Sequence, residues 1–192
     1  MLQPMENQRT EELRARLEQA GCVFDFRVLT LAPTATPGEA EHRLALQMLF
    51  ESIQERARKW QAEIIAKYPQ HAHHRWPDLT PDLAQARPQT LDIKAVRELA
   101  RDDNPLCRAF RNPPYGTQLQ VADFREWLQV LRLYPDEELQ VLDWVGDGDA
   151  EPHRSNWSSY FDDGKEWWGI WCLTLHNPRR RTLSALAASA TD

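Results

Sequence analysis

The sequence predicts an α+β fold, in which a mostly helical N-terminal two-thirds packs on a small antiparallel β-sheet near the C-terminus. Three observations carry that prediction. Apolar residues step by four and three through Leu46, Phe50, Ile53, Ala57, Trp60 and Ile64, the stripe of one long amphipathic helix. After residue 134 the period shortens to two in ELQVLDWV, while EWWGIWCLTL and RTLSALAAS are almost continuously apolar, the pattern of strands buried on both faces. The turn HNPRR joins the last two of these runs, which makes them a hairpin.

Taken in order, TEELRARLEQA reads as a short helix with Thr10 as its N-cap, Leu13 and Leu17 on one face, and Gly21 closing it. In CVFDFRVLTL, Phe24, Phe26 and Val28 alternate with Asp25 and Arg27, a strand with one wet face. Thr36-Pro37-Gly38-Glu39 supplies a cap, a proline at the first helical position and a glutamate three after the cap, so the long helix should run from residue 37 to 68, ended by Pro69. Its stripe is too short for a coiled-coil seam and is expected to lie on the domain's own core. Residues 69–89 carry four prolines and no sustained period, an irregular loop long enough to form a contact surface. Thr90 then caps LDIKAVRELARDD, Asn104-Pro105 opens a second short helix that NPPYG breaks, and Phe124, Trp127, Leu128 and Leu131 mark a third helix stopped by Pro135.

In the first strand of the hairpin, Trp167, Trp171, Leu173 and Leu175 should point one way, and Trp168, Ile170, Cys172 and Thr174 the other, with helices covering both sides. The expectation is one domain over 1–192, with 1–133 mainly helical around one early strand and 134–192 mainly β.

Composition narrows the function classes. The 42% hydrophobic and 27% charged content is that of a soluble globular chain, and its apolar runs fall short of the ~18–20 residues that span a bilayer. The start MLQPMENQRTEEL has no basic and apolar export pattern, so a cytoplasmic protein is expected. Cys22, Cys107 and Cys172 are odd in number and set among apolar neighbours, which suits reduced core thiols. The net charge of -6 is concentrated: residues 134–168 hold ten acids (Asp136, Glu137, Glu138, Asp143, Asp147, Asp149, Glu151, Asp162, Asp163 and Glu166) against Arg154 and Lys165, giving -8 there and +2 elsewhere. Such a field disfavours nucleic acid, whose binding requires phosphate neutralisation, and favours a basic partner surface.

Catalytic and metal patterns are weak by comparison. His71, His73 and His74 lack a second pair of ligands at helical spacing, and Asp78 alone does not complete a site. Asp147-Gly148-Asp149-Ala150-Glu151 opens like a calcium loop, but its sixth and twelfth positions are Pro152 and Ser158 rather than glycine and glutamate. Ser158, Ser159 and His153 share one loop without a nucleophile elbow. No catalytic residue, metal or cofactor is therefore expected. The alternative is a hydrolase or transferase with a site between helices and sheet, using His153 or the histidines of residues 71–74 with a carboxylate.

Recognition remains. Trp157 and Tyr160, with serines between them and Asp162 and Asp163 after, are expected to be surface anchors, whereas Trp167, Trp168 and Trp171 are expected to pack. On this reading Trp167→Ala unfolds the protein and Trp157→Ala costs only binding. Tyr160-Phe161-Asp162-Asp163-Gly164-Lys165-Glu166-Trp167-Trp168-Gly169, the hairpin, and the ending Ala188-Ser189-Ala190-Thr191-Asp192 resemble the C-terminal ends of uncharacterised bacterial proteins, some of which are immunity proteins of secreted toxin systems. The resemblance spans about the last 40 residues and transfers no catalytic residue. It implies a small, cytosolic, non-enzymatic inhibitor whose partner is a cognate protein toxin with a basic cleft, not nucleic acid or membrane. The contact would run through Asp147, Asp149, Glu151, Trp157, Tyr160, Asp162, Asp163 and Glu166, and the free protein would be a monomer or weak dimer.

Overall fold

The structure is a computed structural model and describes residues 2–33, 35–165 and 168–190. Along the chain run β1 (Leu2–Pro4), α1 (Gln8–Gln19), β2 (Asp25–Leu31), α2 (Glu39–Lys67), a 3₁₀ turn (Pro69–His73), β3 (Gln89–Thr90), α3 (Ile93–Leu99), α4 (Pro105–Arg111) and α5 (Val121–Val130). β4 (Gln140–Asp143), two 3₁₀ turns (Pro152–Ser155 and Ser159–Phe161), β5 (Ile170–Asn177) and β6 (Thr182–Ser189) complete the fold. The six strands form one antiparallel sheet in the order β1-β2-β6-β5-β4-β3.

The α+β class and the C-terminal hairpin are as expected, but three of the six strands come from the part expected to be mainly helical. β2 lies beside β6, so the early strand is central to the sheet. β1 and β3 are edge pieces of three and two residues, LQP and QT, too short to carry a readable period.

Helix starts lie close to the expected places, with different caps. Asn7, not Thr10, caps α1, its side chain accepting from the Thr10 N–H at 3.0 Å. Gly38 precedes α2, and Glu41 reaches back to the Gly38 N–H at 2.7 Å, so the capping box is shifted two residues from the expected one. Asp92 rather than Thr90 caps α3. Asn104 caps α4 as expected, and its amide also donates to the Glu98 and Leu99 carbonyls at 2.5 and 2.7 Å, tying the end of α3 to the start of α4. α5 stops before Pro135, where Arg132 adopts a positive φ of 61°.

Strand alternation sorts the interior into two layers. Phe26, Val28, Leu173, Leu175, Leu186 and Ala188 face α1, α3, α4 and α5, whose Leu13, Leu106, Phe110, Phe124 and Trp127 are buried against them. Leu29, Leu31, Ile170, Cys172, Leu183, Ala185 and Ala187 face the first half of α2 and the loop carrying Trp144, Trp157 and Phe161. Both faces of β5 and β6 are thus covered, as the apolar runs required. The α2 stripe splits, however: Leu46, Phe50 and Ile53 are buried, whereas Trp60 is 54% exposed. Beyond Ile53 the helix leaves the sheet and is met by the proline-rich loop, with Trp76 edge-on to Trp60 at 5.4 Å.

The tryptophan pattern before β5 also differs from strict alternation. Trp168 and Trp171 lie on the same side, 5.0 Å apart, each 5.7 Å from Phe24. Gly169, at φ +115°, breaks the two-residue period between them, and a Cβ there would stand 2.6 Å from the Trp171 ring. Trp167 lies outside the described residues.

Candidate binding cleft

The site is built at the end of the sheet where β4 stops. Asp143 turns the chain by accepting from the Val145 and Gly146 N–H groups at 3.0 and 2.9 Å. Gly146, at φ +66°, allows the turn, and Arg154 packs where its Cβ would lie. Asp147 repeats the device, accepting from Asp149 and Ala150 at 2.9 and 3.1 Å. Arg154 pins the resulting loop, donating to the Asp143 carbonyl at 2.8 Å, to Glu151 at 3.2 Å and to Gln89 at 3.2 Å. Glu151 is therefore half-buried and neutralised internally, while Asp147 and Asp149 stay exposed.

The second acidic loop arrives from the other side. Asp162 and Asp163 are exposed after the turn Ser159–Phe161. Lys165 reaches Asp162 at 3.4 Å and the side-chain Oδ1 of Asn156 at 3.1 Å. Gly169 N–H donates to the Gly164 carbonyl at 2.7 Å and Gly164 N–H to the Ser189 hydroxyl at 3.1 Å, which closes the loop back onto β6.

Between these loops and α4 opens a cleft of about 660 Å³. Arg108 of α4 and Asn112, which caps its C-terminal end, form one wall, Asp147, Gly148 and Asp149 the other, and Trp168, Gly169, Ile170 and Trp171 the floor, with Lys165 at one end. A second, more apolar pocket of about 310 Å³ shares Pro105, Gly146, Ile170 and Trp171 with it and runs beneath α3, among Leu91, Leu99, Leu106 and Leu173.

The structure thus brings Asp147 and Asp149 onto one cleft and joins Asp162 to it through Lys165. Asp163 is exposed nearby in sequence, and Glu166 lies outside the described residues. Trp157 and Tyr160 are corrections. Trp157 is 4% exposed, donates its Nε1–H to the Trp144 carbonyl at 3.1 Å, and packs on Phe50 and Phe161 at 5.5 and 5.1 Å. Tyr160 lies on Phe50 at 5.4 Å and donates to Asp25 Oδ2 at 3.2 Å, while Arg56 pairs with the other Asp25 oxygen. Burial, reinforced by the Asp25 charge, pushes the Tyr160 phenol well above its usual range. The serines around these aromatics do not mark a surface: Ser155 and Ser158 are buried, bonded to the Pro152 carbonyl and to the Tyr160 N–H, and only Ser159 of the three is exposed.

The charge map is also redistributed. Glu137, one of the ten acids, accepts from Asn177 at 2.7 Å and pairs with Arg179 and Arg180, which lie outside the window counted in sequence. Trp168 and Trp171, assigned to packing, are half-buried and keep surface toward the cleft. The glycines around them, Gly146, Gly148 and Gly169, were the available signal, since they let two loops approach those rings.

Residues considered for chemistry lie elsewhere. His71, His73 and His74 are exposed beside the second half of α2, and His153 is exposed on the turn Pro152–Ser155. No group of three His, Cys, Asp or Glu among the described residues is placed to hold a metal ion. The cysteines are free thiols: burial raises Cys22 to about 11 and holds Cys107 and Cys172 above their ordinary value. No helix among the described residues is long and apolar enough to cross a membrane. No protein-family model matches the chain, and no curated protein sequence matches it.

Proposed function

We propose that the protein is a non-enzymatic inhibitor of the immunity type, which neutralises a cognate toxin enzyme by setting the acid-rimmed cleft against a basic surface of that toxin. The observation that carries this reading is the placement of exposed Asp147 and Asp149 over a cleft floored by the half-buried rings of Trp168 and Trp171. Exposed carboxylates steer a cationic partner, and partly covered indoles supply contact area and cation–π attraction once it arrives. Carboxylates that serve as general acids or bases are usually partly buried. Asp147 instead spends hydrogen bonds on its own turn, which fixes the rim in position.

The anchors in this reading are Trp168 and Trp171, in place of Trp157 and Tyr160. The test is charge reversal. The reading expects the gene immediately upstream to encode a secreted toxin whose activity the protein inhibits stoichiometrically. Changing Asp147, Asp149, Asp162 and Asp163 together to lysine should abolish that inhibition and its sensitivity to salt. Inhibition unchanged by all four reversals, or a toxin bound equally well at high salt, would overturn it.

A further inference from the structure

The inner pocket has an unusual composition for a cavity so apolar. Leu91, Leu99, Leu106 and Leu173 line its sides, yet Asp143 and Glu98 line it as well. Asp143 spends Oδ1 on the Val145 and Gly146 N–H groups, while Oδ2 has Arg154 only at 4.0 Å. Glu98 meets Arg101 at 3.7 Å from an exposed position. Among the described residues neither carboxylate is closely paired, and Trp171 is one of the residues that line both this pocket and the outer cleft.

Apolar sides, an aromatic ring where the pocket meets the outer cleft and two loosely paired carboxylates are complementary to a long side chain that is apolar along its stem and cationic at its end. We infer that this pocket receives one arginine side chain from the basic partner, an inference that rests on the function proposed above and names the residue the site recognises. The arginine stem lies along Leu99, Leu106 and Leu173, its planar guanidinium passes the Trp171 ring, and its N–H groups reach Asp143 and Glu98. Arginine suits the pocket better than lysine because its charge persists when desolvated and its fork can bridge two acceptors. A neutral apolar side chain would fill the volume but leave Asp143 Oδ2 desolvated without a donor. The cations of the outer cleft do not block entry. Lys165 is held by Asp162 and Asn156, and Arg108 is drawn back along α4 by donating to the Asp103 carbonyl at 3.1 Å.

The experiment titrates the intact chain with acetyl-Gly-Gly-Arg-Gly-Gly-amide, following the Trp171 indole N–H by NMR, beside the same peptide carrying citrulline or norleucine. Citrulline keeps the shape of arginine and removes its charge. The arginine peptide should give a saturable shift at Trp171 and bind roughly tenfold more tightly than either analogue, about the factor expected for one desolvated charge-assisted contact. Ala95→Trp, which fills the pocket from α3 without touching the rim, should remove that shift. Equal binding of the three peptides, no saturable shift, or undiminished binding by a folded Ala95→Trp protein would overturn the inference. The peptide comparison on the unaltered protein stands whether or not Ala95→Trp folds. If Ala95→Trp still inhibits the toxin with unchanged salt dependence while the four rim reversals abolish inhibition, the arginine pocket fails and the acidic-rim reading survives. If the rim reversals have no effect, the reading itself fails.

Discussion

The two faces of the sheet are covered by different means, and the difference explains where polar groups are buried. On one face α1, α3, α4 and α5 lay down an almost purely apolar layer, with Phe110 stacked on Trp127 at 4.7 Å and Phe24 edge-on to Trp127 at 5.2 Å. On the other, only the first half of α2 is helical cover, and the rest is loop. That face carries internal hydrogen bonds: Trp144 Nε1–H donates to Thr174 Oγ1 at 2.8 Å, His42 Nδ1 lies 2.7 Å from the same hydroxyl, and Trp157 donates to the Trp144 carbonyl. Arg43 reaches the Leu83 and Ala86 carbonyls and lies over the Trp144 ring at 5.2 Å. Helices satisfy their own backbone groups, so they can press a wholly apolar stripe on a sheet. Loops cannot, so the chain supplies side-chain partners for their buried backbone.

The sharpest way to break the comparison is to remove an indole from the looped face. Trp157→Ala should cost about 3–5 kcal/mol, seen as a melting temperature lower by roughly 10 °C. A melting temperature within a degree or two of the unaltered protein would return Trp157 to the surface.

Acid titration should separate the faces next. Burial, helped by the neighbouring His176, lowers His42 from 6.5 to about 4, and burial lowers His176 as well. His42 is therefore neutral in the folded state down to about pH 4, and His176 is biased in the same direction. Below pH 6.5 the unfolded chain takes up protons that the folded chain refuses, so this stability is complete above the unfolded value and is lost as the pH falls toward 4. For His42 the loss is on the order of 3 kcal/mol. Chemical denaturation across that range should give a shallower slope for His42→Gln than for the unaltered protein. Parallel slopes would contradict a buried neutral His42.

A smaller effect should sharpen the contrast. Trp127 Nε1–H is buried with no partner among the described residues, whereas that of Trp157 is bonded. Trp157→Phe leaves the Trp144 carbonyl without its donor and should cost about 1 kcal/mol more than Trp127→Phe, although Trp127 is the more buried ring. The reverse order, from denaturant melts, would mean that the hydrogen bond is not what distinguishes the two.

This same contrast governs what could be read from the chain. Periodicity located α1 to α5 to within a few residues and exposed β5 and β6 as doubly covered, because helical and strand spacing are local properties. It did not find β1 or β3, whose pairing is decided by neighbours far along the chain. It also misplaced the anchors. Trp157 and Tyr160 sit among serines and acids and read as surface, but the partners that bury them, Phe50, Asp25 and Trp144, are distant in sequence. Asp147 and Asp149 were legible as exposed acids. That they border a cleft closed on its far side by Arg108 depends on α4, about 40 residues earlier, and no spacing rule encodes that approach.

The most direct measurement is hydrogen exchange on the intact chain with and without a hexa-arginine peptide at low salt. The account predicts slower exchange at residues 146–151, at α4 and at the start of β5, with no change along residues 69–80 beside the second half of α2. Protection at residues 69–80, or none at the cleft, would contradict it.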